Sequence, residues 1–322
     1  MKNRLIICFM LPFIYGVSQA DIADNLRWTI DGSARYNQFS SPDRTSRIYA
    51  LGIDTHKVFS GEHGDIGYSV IQLYFTQLSH HKPTPFMFDS PDDGKIIVRE
   101  AHINYTASPG WLPNLRLGHF TMPFGLEDSN DTNGKLLDYG HAENLGTKLD
   151  WGILLNKVHD DFEYKISYTL GGKDDPKSVD GSSLVTGRIS TLDHYNLVVG
   201  FSFYDGELDN RNRQRFAVDM QYYIGTWGVK AELATGEVDD DNEKYGLFEI
   251  NKLSLDETWK LYSQYIYSDK SGFDDNNETG VVGISYEPDT HWEASVEYKH
   301  QFSNINGLDE MKLFRTQIRY RY

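Results

Sequence analysis

The chain has 322 residues, a formal net charge of −16 at pH 7, 21 Tyr, 17 Phe and one cysteine. The acidic balance opposes nucleic acid as a partner. The lone Cys8 excludes a disulfide scaffold, and beyond residue 20 no segment approaches the ~18 apolar residues of a membrane helix.

The chain opens with Lys2 and Arg4, an apolar run from Leu5 to Tyr15, and Ser18-Gln19-Ala20. This is the order of an export signal cleaved after Ala20, and the apolar run is too short to span a bilayer. Ile7 precedes Cys8, where a lipid-anchor site wants a small residue. Residues 1–20 are therefore predicted to be a signal peptide and 21–322 a single β domain.

From Leu26 onward the pattern is period two, the signature of strands with two different faces. Leu26, Trp28 and Ile30 oppose Arg27, Thr29 and Asp31; Tyr49, Leu51 and Ile53 oppose Ala50, Gly52 and Asp54. A short turn at Ser60–Gly64 leads to Ile66, Tyr68 and Val70. A longer loop, His80–Gly94, carries Pro83, Pro85 and Pro91, which no central strand accepts. A fourth strand near 96–105 sets Ala101 and Ile103 against Glu100 and His102, and Pro109-Gly110 turns the chain into Leu115-Arg116-Leu117-Gly118. After Glu127 a polar segment without period runs to Gly146, and alternation resumes at Leu149-Asp150-Trp151. Alternating segments follow around Phe162–Leu170, Ser182–Ser190, Leu197–Phe203, Phe216–Tyr222, Trp227–Leu233, 245–253, Trp259–Tyr267, Val282–Tyr286, Trp292–Tyr298 and Phe314–Tyr322. Polar loops are predicted at Asp205–Asn212, Glu237–Glu243, Asp269–Glu278 and Ser303–Glu310.

This counts to about sixteen strands. Odd connections read as long and polar, even ones as short turns, the asymmetry of a bacterial outer-membrane barrel with both termini in the periplasm. The prediction is an all-β transmembrane antiparallel barrel in the outer membrane of a Gram-negative bacterium. Its outer face contacts outer-membrane lipid and lipopolysaccharide. The terminal aromatics, at every second position up to Tyr322, resemble the signature read by the barrel-assembly machinery.

Between the fifth and sixth strands the connection is about 20 residues, where hairpin loops are ordinarily ~2–5. Such a loop is expected to fold into the lumen after strand five and narrow it. The segment Leu115-Arg116-Leu117-Gly118-His119-Phe120-Thr121-Met122-Pro123-Phe124-Gly125-Leu126-Glu127, followed by Asp150-Trp151-Gly152 and the strand of Phe162, Tyr164 and Tyr168, resembles the phosphate-selective porin O/P family over roughly residues 95–172. The resemblance implies a constriction loop here and a phosphate-type solute. The loop itself offers Glu127, Asp128, Asp131, Asp138 and Glu143 against Lys135 and His141, with no basic ladder. Anion selection at close range needs Arg or Lys rings, so a general or mildly cation-preferring pore is the reading of the residues.

Charges are costly against lipid, so alternation assigns them to the lumen, which is expected to be hydrated rather than packed. The constriction set is Glu127, Asp128, Asp131, Lys135, Asp138 and His141. The pore wall set is Arg27, Arg35, Arg315, Arg319 and Arg321, brought together where the last strand closes on the first. Acidic loop facing arginine wall predicts a transverse field across the passage; the alternative is that the arginines only pair with Asp31 and Glu297.

No nucleotide loop or nucleophile elbow is present, and no cofactor or metal is expected. The acidic runs 239–243 and 274–278 lack calcium-loop spacing, and His80-His81 alone is a weak metal signal. The functional reading is a non-enzymatic porin for passive diffusion of small hydrophilic solutes or ions. The apolar, proline-stiffened second outer loop suggests a homotrimer. Still open are a non-conducting barrel that sheathes a partner such as an electron-transfer cytochrome, an adhesin, and a hydrolase carried on the barrel wall.

Overall fold

The structure, a computed structural model, describes residues 25–40, 43–79, 94–132, 134–140, 145–178, 181–193, 196–270, 276–302 and 310–322. The export signal, most of the second outer loop (80–93) and His141 lie outside them. Sixteen antiparallel strands close into one barrel. They are β1 Leu26–Ser40, β2 Asp43–Gly61, β3 Gly64–Ser79, β4 Lys95–Tyr105, β5 Asn114–Thr121, β6 Leu149–Val158, β7 Phe162–Thr169 and β8 Ser183–Thr191. The second half comprises β9 Leu197–Leu208, β10 Arg211–Ile224, β11 Trp227–Val238, β12 Asp241–Leu253, β13 Trp259–Asp269, β14 Asn277–Tyr286, β15 Trp292–Gln301 and β16 Lys312–Arg321.

Closure is made by β16 against β1, in register from Asp31 opposite Arg321 to Phe39 opposite Leu313. Ile30 and Tyr322 exchange both backbone hydrogen bonds at 2.8 Å, so the seam leaves no free sheet edge there. Apolar side chains such as Leu51, Ile53, Val218, Leu233, Val282 and Ile318 stand exposed on the outside. Their neighbours in sequence turn inward. Near the chain-terminal end of the barrel, the tilted rings of Trp259 and Tyr286 (4.3 Å), Trp292 and Tyr320 (4.7 Å) and Trp28 and Tyr322 (6.2 Å) pack together. Such a ring of aromatics suits a membrane–water boundary.

Two expectations are corrected. The predicted loops at 205–212 and 237–243 are continuations of strand: β9 meets β10 at Asp209-Asn210, and β11 meets β12 at Asp239-Asp240. All four turn residues have positive φ (55°, 59°, 55° and 107°), a conformation that Asp and Asn tolerate in tight hairpins. Alternation fades there because the outward face of a strand above the membrane meets water and carries polar residues, while Leu208 and Val238 still turn inward and are buried. The lumen, secondly, is not simply a hydrated wall. Met122, Phe124, Leu126, Leu137, Tyr139 and Leu145 pack with Leu184, Tyr204, Leu208, Ala217, Ala234, Tyr245 and Leu247 into an apolar cluster inside the barrel. The inward apolar residues of β8–β12 have the fifth connection to bury.

Candidate functional site

The connection between β5 and β6 enters the lumen at Gly125, whose φ is 56°. A Cβ at that position would lie 2.2 Å from a carboxylate oxygen of Glu232, so glycine permits the close approach. The Gly125 N–H donates to Ser202 Oγ (3.0 Å), and the Leu126 N–H donates to Glu232 Oε2 (2.8 Å). A 3₁₀ turn over Leu126–Ser129 follows. Asn130 donates to Gln221 Oε1 (3.1 Å), Gln221 to Ser129 Oγ (2.7 Å), and Lys230 to both Asn130 Oδ1 and the Tyr139 hydroxyl. The ammonium of Lys230 also lies over the Tyr139 ring. These ties hold the first limb of the loop to β9–β11.

The middle limb crosses to the seam. Arg35 donates to the Lys135 carbonyl (2.8 Å), Arg315 to the Leu136 carbonyl (3.0 Å), and Gln317 to the Gly134 carbonyl. The return limb is held by Gln264 to the Asp138 carbonyl (3.1 Å), Tyr245 to the Tyr139 carbonyl (2.6 Å) and Tyr204 to the Leu145 carbonyl (3.3 Å). These loop carbonyls are thus satisfied by side chains of the barrel wall.

The acids of the loop face a different wall from the one predicted. Glu127 pairs with Lys148 and accepts from Thr132. Asp128 pairs with Lys165 (2.7 Å) and lies 3.6 Å from Arg188. Asp131 pairs with Arg99 (2.7 Å). Burial pushes the Asp128 carboxyl up, but Lys165 and Arg188 outweigh it and hold it below the usual carboxylate range. Burial pushes the Glu127 carboxyl up by more than Lys148 draws it down. Asp138 accepts the Gly140 N–H (3.0 Å), and Lys135 contributes its carbonyl to Arg35.

The arginines divide. Arg315 pairs with Glu297 and Arg319 with Asp31. Arg35 bonds Gln317 (2.9 Å) as well as the loop. These three are buried under the loop. Arg321 is partly exposed, 3.5 Å from Asp31 and 3.8 Å from Asp54. Arg27 is exposed at the chain-terminal end, in register with His56, and takes no part in contacts with the loop. Of the four acids expected to oppose the seam arginines, Asp138 does act on Arg35 and Arg315 across the lumen, whereas Glu127 pairs with Lys148 of the loop itself and Asp128 and Asp131 pair with bases on β4–β8. The seam arginines are otherwise held by wall acids and loop carbonyls. The reason is local. Seam arginines already have carboxylates on neighbouring strands, so the loop offers them backbone oxygens.

Among the described loop residues, Ser129 and Asp131 are the exposed ones. The Asp131 side chain is 58% exposed while Arg99, its partner, is 7% exposed. On the lumen side of β3–β7, Tyr68, Arg116, Asn156, Glu163 and Lys165 are partly exposed, and Arg116 donates to the Tyr68 hydroxyl (3.1 Å). The surface beside Asp131 is thus one of mixed charge, open to solvent.

Arg99 escaped the sequence reading. Strict alternation with His102 facing inward sends Arg99 outward, but the β3–β4 register shifts between Gln72 and Leu73, and the extra residue returns Arg99 to the lumen. Lys148 was missed because it sits at the end of the loop rather than on a strand.

No family model matches the sequence, and no curated protein matches it. Solved structures do. An anion-selective porin from Comamonas acidovorans aligns with TM-score 0.67 at 10% identity, covering 92% of this chain and 99% of that one. OmpF of Salmonella typhi, in complex with daunomycin, aligns with TM-score 0.67 at 12% identity over 92% and 97%. OmpT of Vibrio cholerae, in its trimer form, gives 0.67 at 13% identity over 92% and 99%. The chain has the sixteen-stranded porin fold. At these identities the likeness is one of fold, and it extends over nearly the whole of each partner.

Proposed function

We propose that this barrel is an outer-membrane porin through which small hydrophilic solutes or ions diffuse passively. The observation that carries the reading is a closed sixteen-strand barrel with an apolar exterior, a charged interior, and a loop tied into the lumen whose exposed tip carboxylate, Asp131, borders a wall of mixed charge. A barrel of this strand number is wide enough for an aqueous channel. No catalytic step is assigned to it. The sheath reading is disfavoured, because the barrel's own loop occupies with an apolar cluster the space a partner would need.

The phosphate preference implied by the resemblance is not adopted. Of the bases on β4–β8 that face the lumen, Arg99, Lys165 and Arg188 are each paired with an acid, and Arg116, which donates to the Tyr68 hydroxyl, adds a single cation rather than a ring. A general pore, mildly cation-preferring through Asp131, fits better. We place the transverse field chiefly between Asp131 and β4–β8, with Asp138 facing Arg35 and Arg315 at the seam. We further propose a homotrimer in the outer membrane, exported by the signal at 1–20 and inserted by the assembly machinery through β16. Solute efflux from liposomes tests the function: reconstituted protein should release small sugars and amino acids and retain large dextrans, and liposomes that retain everything with fully folded protein would refute it.

A further inference from the structure

The lumen wall carries bare backbone at one level of β4–β6. Gly118 of β5 stands opposite His102 of β4 on one side and opposite Gly152 of β6 on the other. Two adjacent strands thus lack a side chain beside His102, and both glycines keep some exposure. Arg116 opposes Asn104, one inward position nearer the chain-terminal end, which makes it a diagonal neighbour of His102 at about 7–8 Å. Glu100 lies on the other side of His102. The register shift beside Gln72 leaves Glu100 opposite that residue, so Glu100 faces the lumen together with Arg99.

The other charges on this side of the lumen are matched. Arg99 pairs with Asp131, Lys165 with Asp128, and Arg188 with Asp219. Glu163 lies 3.7 Å from both Lys165 and Arg188, and the fully buried Asp150 accepts the Gly171 and Lys173 N–H groups. Glu100 and Arg116 differ. Glu100, its side chain 19% exposed, accepts from Thr121 (3.1 Å) and lies 3.7 Å from His102 Nδ1. Among the described residues no Lys or Arg comes within ion-pair distance of it; Arg99 acts on it while paired with Asp131. Arg116 donates to the Tyr68 hydroxyl (3.1 Å), and its Nε finds no hydrogen-bond partner. Asp128 acts on Arg116 from beyond ion-pair distance while paired with Lys165. The Tyr68 ring that anchors Arg116 is itself stacked on His56 (5.3 Å). One acid and one base, each without a charged partner of its own, thus flank His102 and the two glycines.

We propose that this stretch of wall is a transient binding site for zwitterionic amino acids crossing the pore. The ammonium meets Glu100, the carboxylate meets Arg116, and the body of the solute passes over Gly118 and Gly152. A free anion gains at Arg116 and loses at Glu100, and a free cation does the reverse. A small solute that carries both signs gains charge-assisted hydrogen bonds at both ends. The inference rests on the porin reading and names a solute class for it.

Swelling of dextran-loaded liposomes that hold the full-length barrel reads the site. The probes are L-alanine and lactamide, an uncharged molecule of nearly the same size and shape. In wild type L-alanine should enter about fivefold faster than lactamide, the scale of two exposed ion pairs. Glu100→Gln and Arg116→Gln should each bring the ratio of the two rates close to one, with wild-type β-sheet circular dichroism. Arg116→Lys, which keeps the charge, should hold the ratio well above one. Equal rates in wild type overturn the proposal without recourse to any variant. A wild-type ratio that survives both glutamine substitutions overturns it too, because the preference then arises elsewhere in the pore. If neither probe enters through folded protein, the porin reading fails and this inference fails with it, an outcome distinct from entry of both at one rate.

Discussion

Asp131 and Arg315 bring the same size of charge into the lumen and have unequal means of acting on a passing ion. The Asp131 side chain is 58% exposed. Arg315 is 3% exposed, paired with Glu297 and capped by the Leu136 carbonyl. A solvent-facing charge attracts counterions directly, whereas a sealed pair presents only a dipole. Asp131→Asn, which removes the acid that pairs with Arg99, should move the reversal potential in a salt gradient toward anions, and Arg315→Gln should move it much less. A larger shift from Arg315 would return the field to the seam. Stability should show the opposite ranking. Arg319→Ala leaves Asp31, 3% exposed, with the Tyr74 hydroxyl (3.2 Å) and the partly exposed Arg321 (3.5 Å), and the cost of removing the main partner of such a pair is up to about 3–5 kcal/mol. That loss should appear as a lower urea midpoint of unfolding, with Asp131→Asn near wild type; equal midpoints for the two variants would mean the seam pairs are solvated and weak.

The loop between β5 and β6, which carries a 3₁₀ turn at Leu126–Ser129, is held by two kinds of tie, wall side chains on its carbonyls and apolar anchors beneath. Phe124 is 1% exposed within the apolar cluster, and truncating such a ring costs about 3–5 kcal/mol. The backbone ladder that closes the barrel does not pass through it. Phe124→Ala should therefore undock the loop rather than unfold the barrel, seen as larger, noisier conductance with an unchanged unfolding midpoint; a fallen midpoint with unaltered conductance would make the loop part of the wall's core. The sixteen strands were legible because lipid outside and charge inside enforce strict alternation over ~9–11 residues each. The strand ends above the membrane were not, as β9–β12 show, because an outward face that meets water instead of lipid carries polar residues and removes the contrast. Arg99 was hidden by one extra residue in β4. The position of the loop was legible from its length and lack of period, but its route was not: contacts such as Gln317 to the Gly134 carbonyl join positions 183 residues apart, and no local spacing encodes them.

At the scale of the molecule, a porin-type barrel exposes apolar side chains around its whole girth, so membrane and neighbouring copies compete for that surface. The proposed homotrimer predicts three chain masses in detergent after correction for bound detergent, and a single chain mass at every concentration would refute it. Conduction is the central claim, and single-channel recording of the purified full-length protein in a planar bilayer tests it most directly. The account predicts stable, ohmic open-channel steps at low voltage, altered in selectivity by Asp131→Asn and enlarged by Phe124→Ala. Well-folded protein that inserts and gives no steps, with neither variant opening it, would contradict the account.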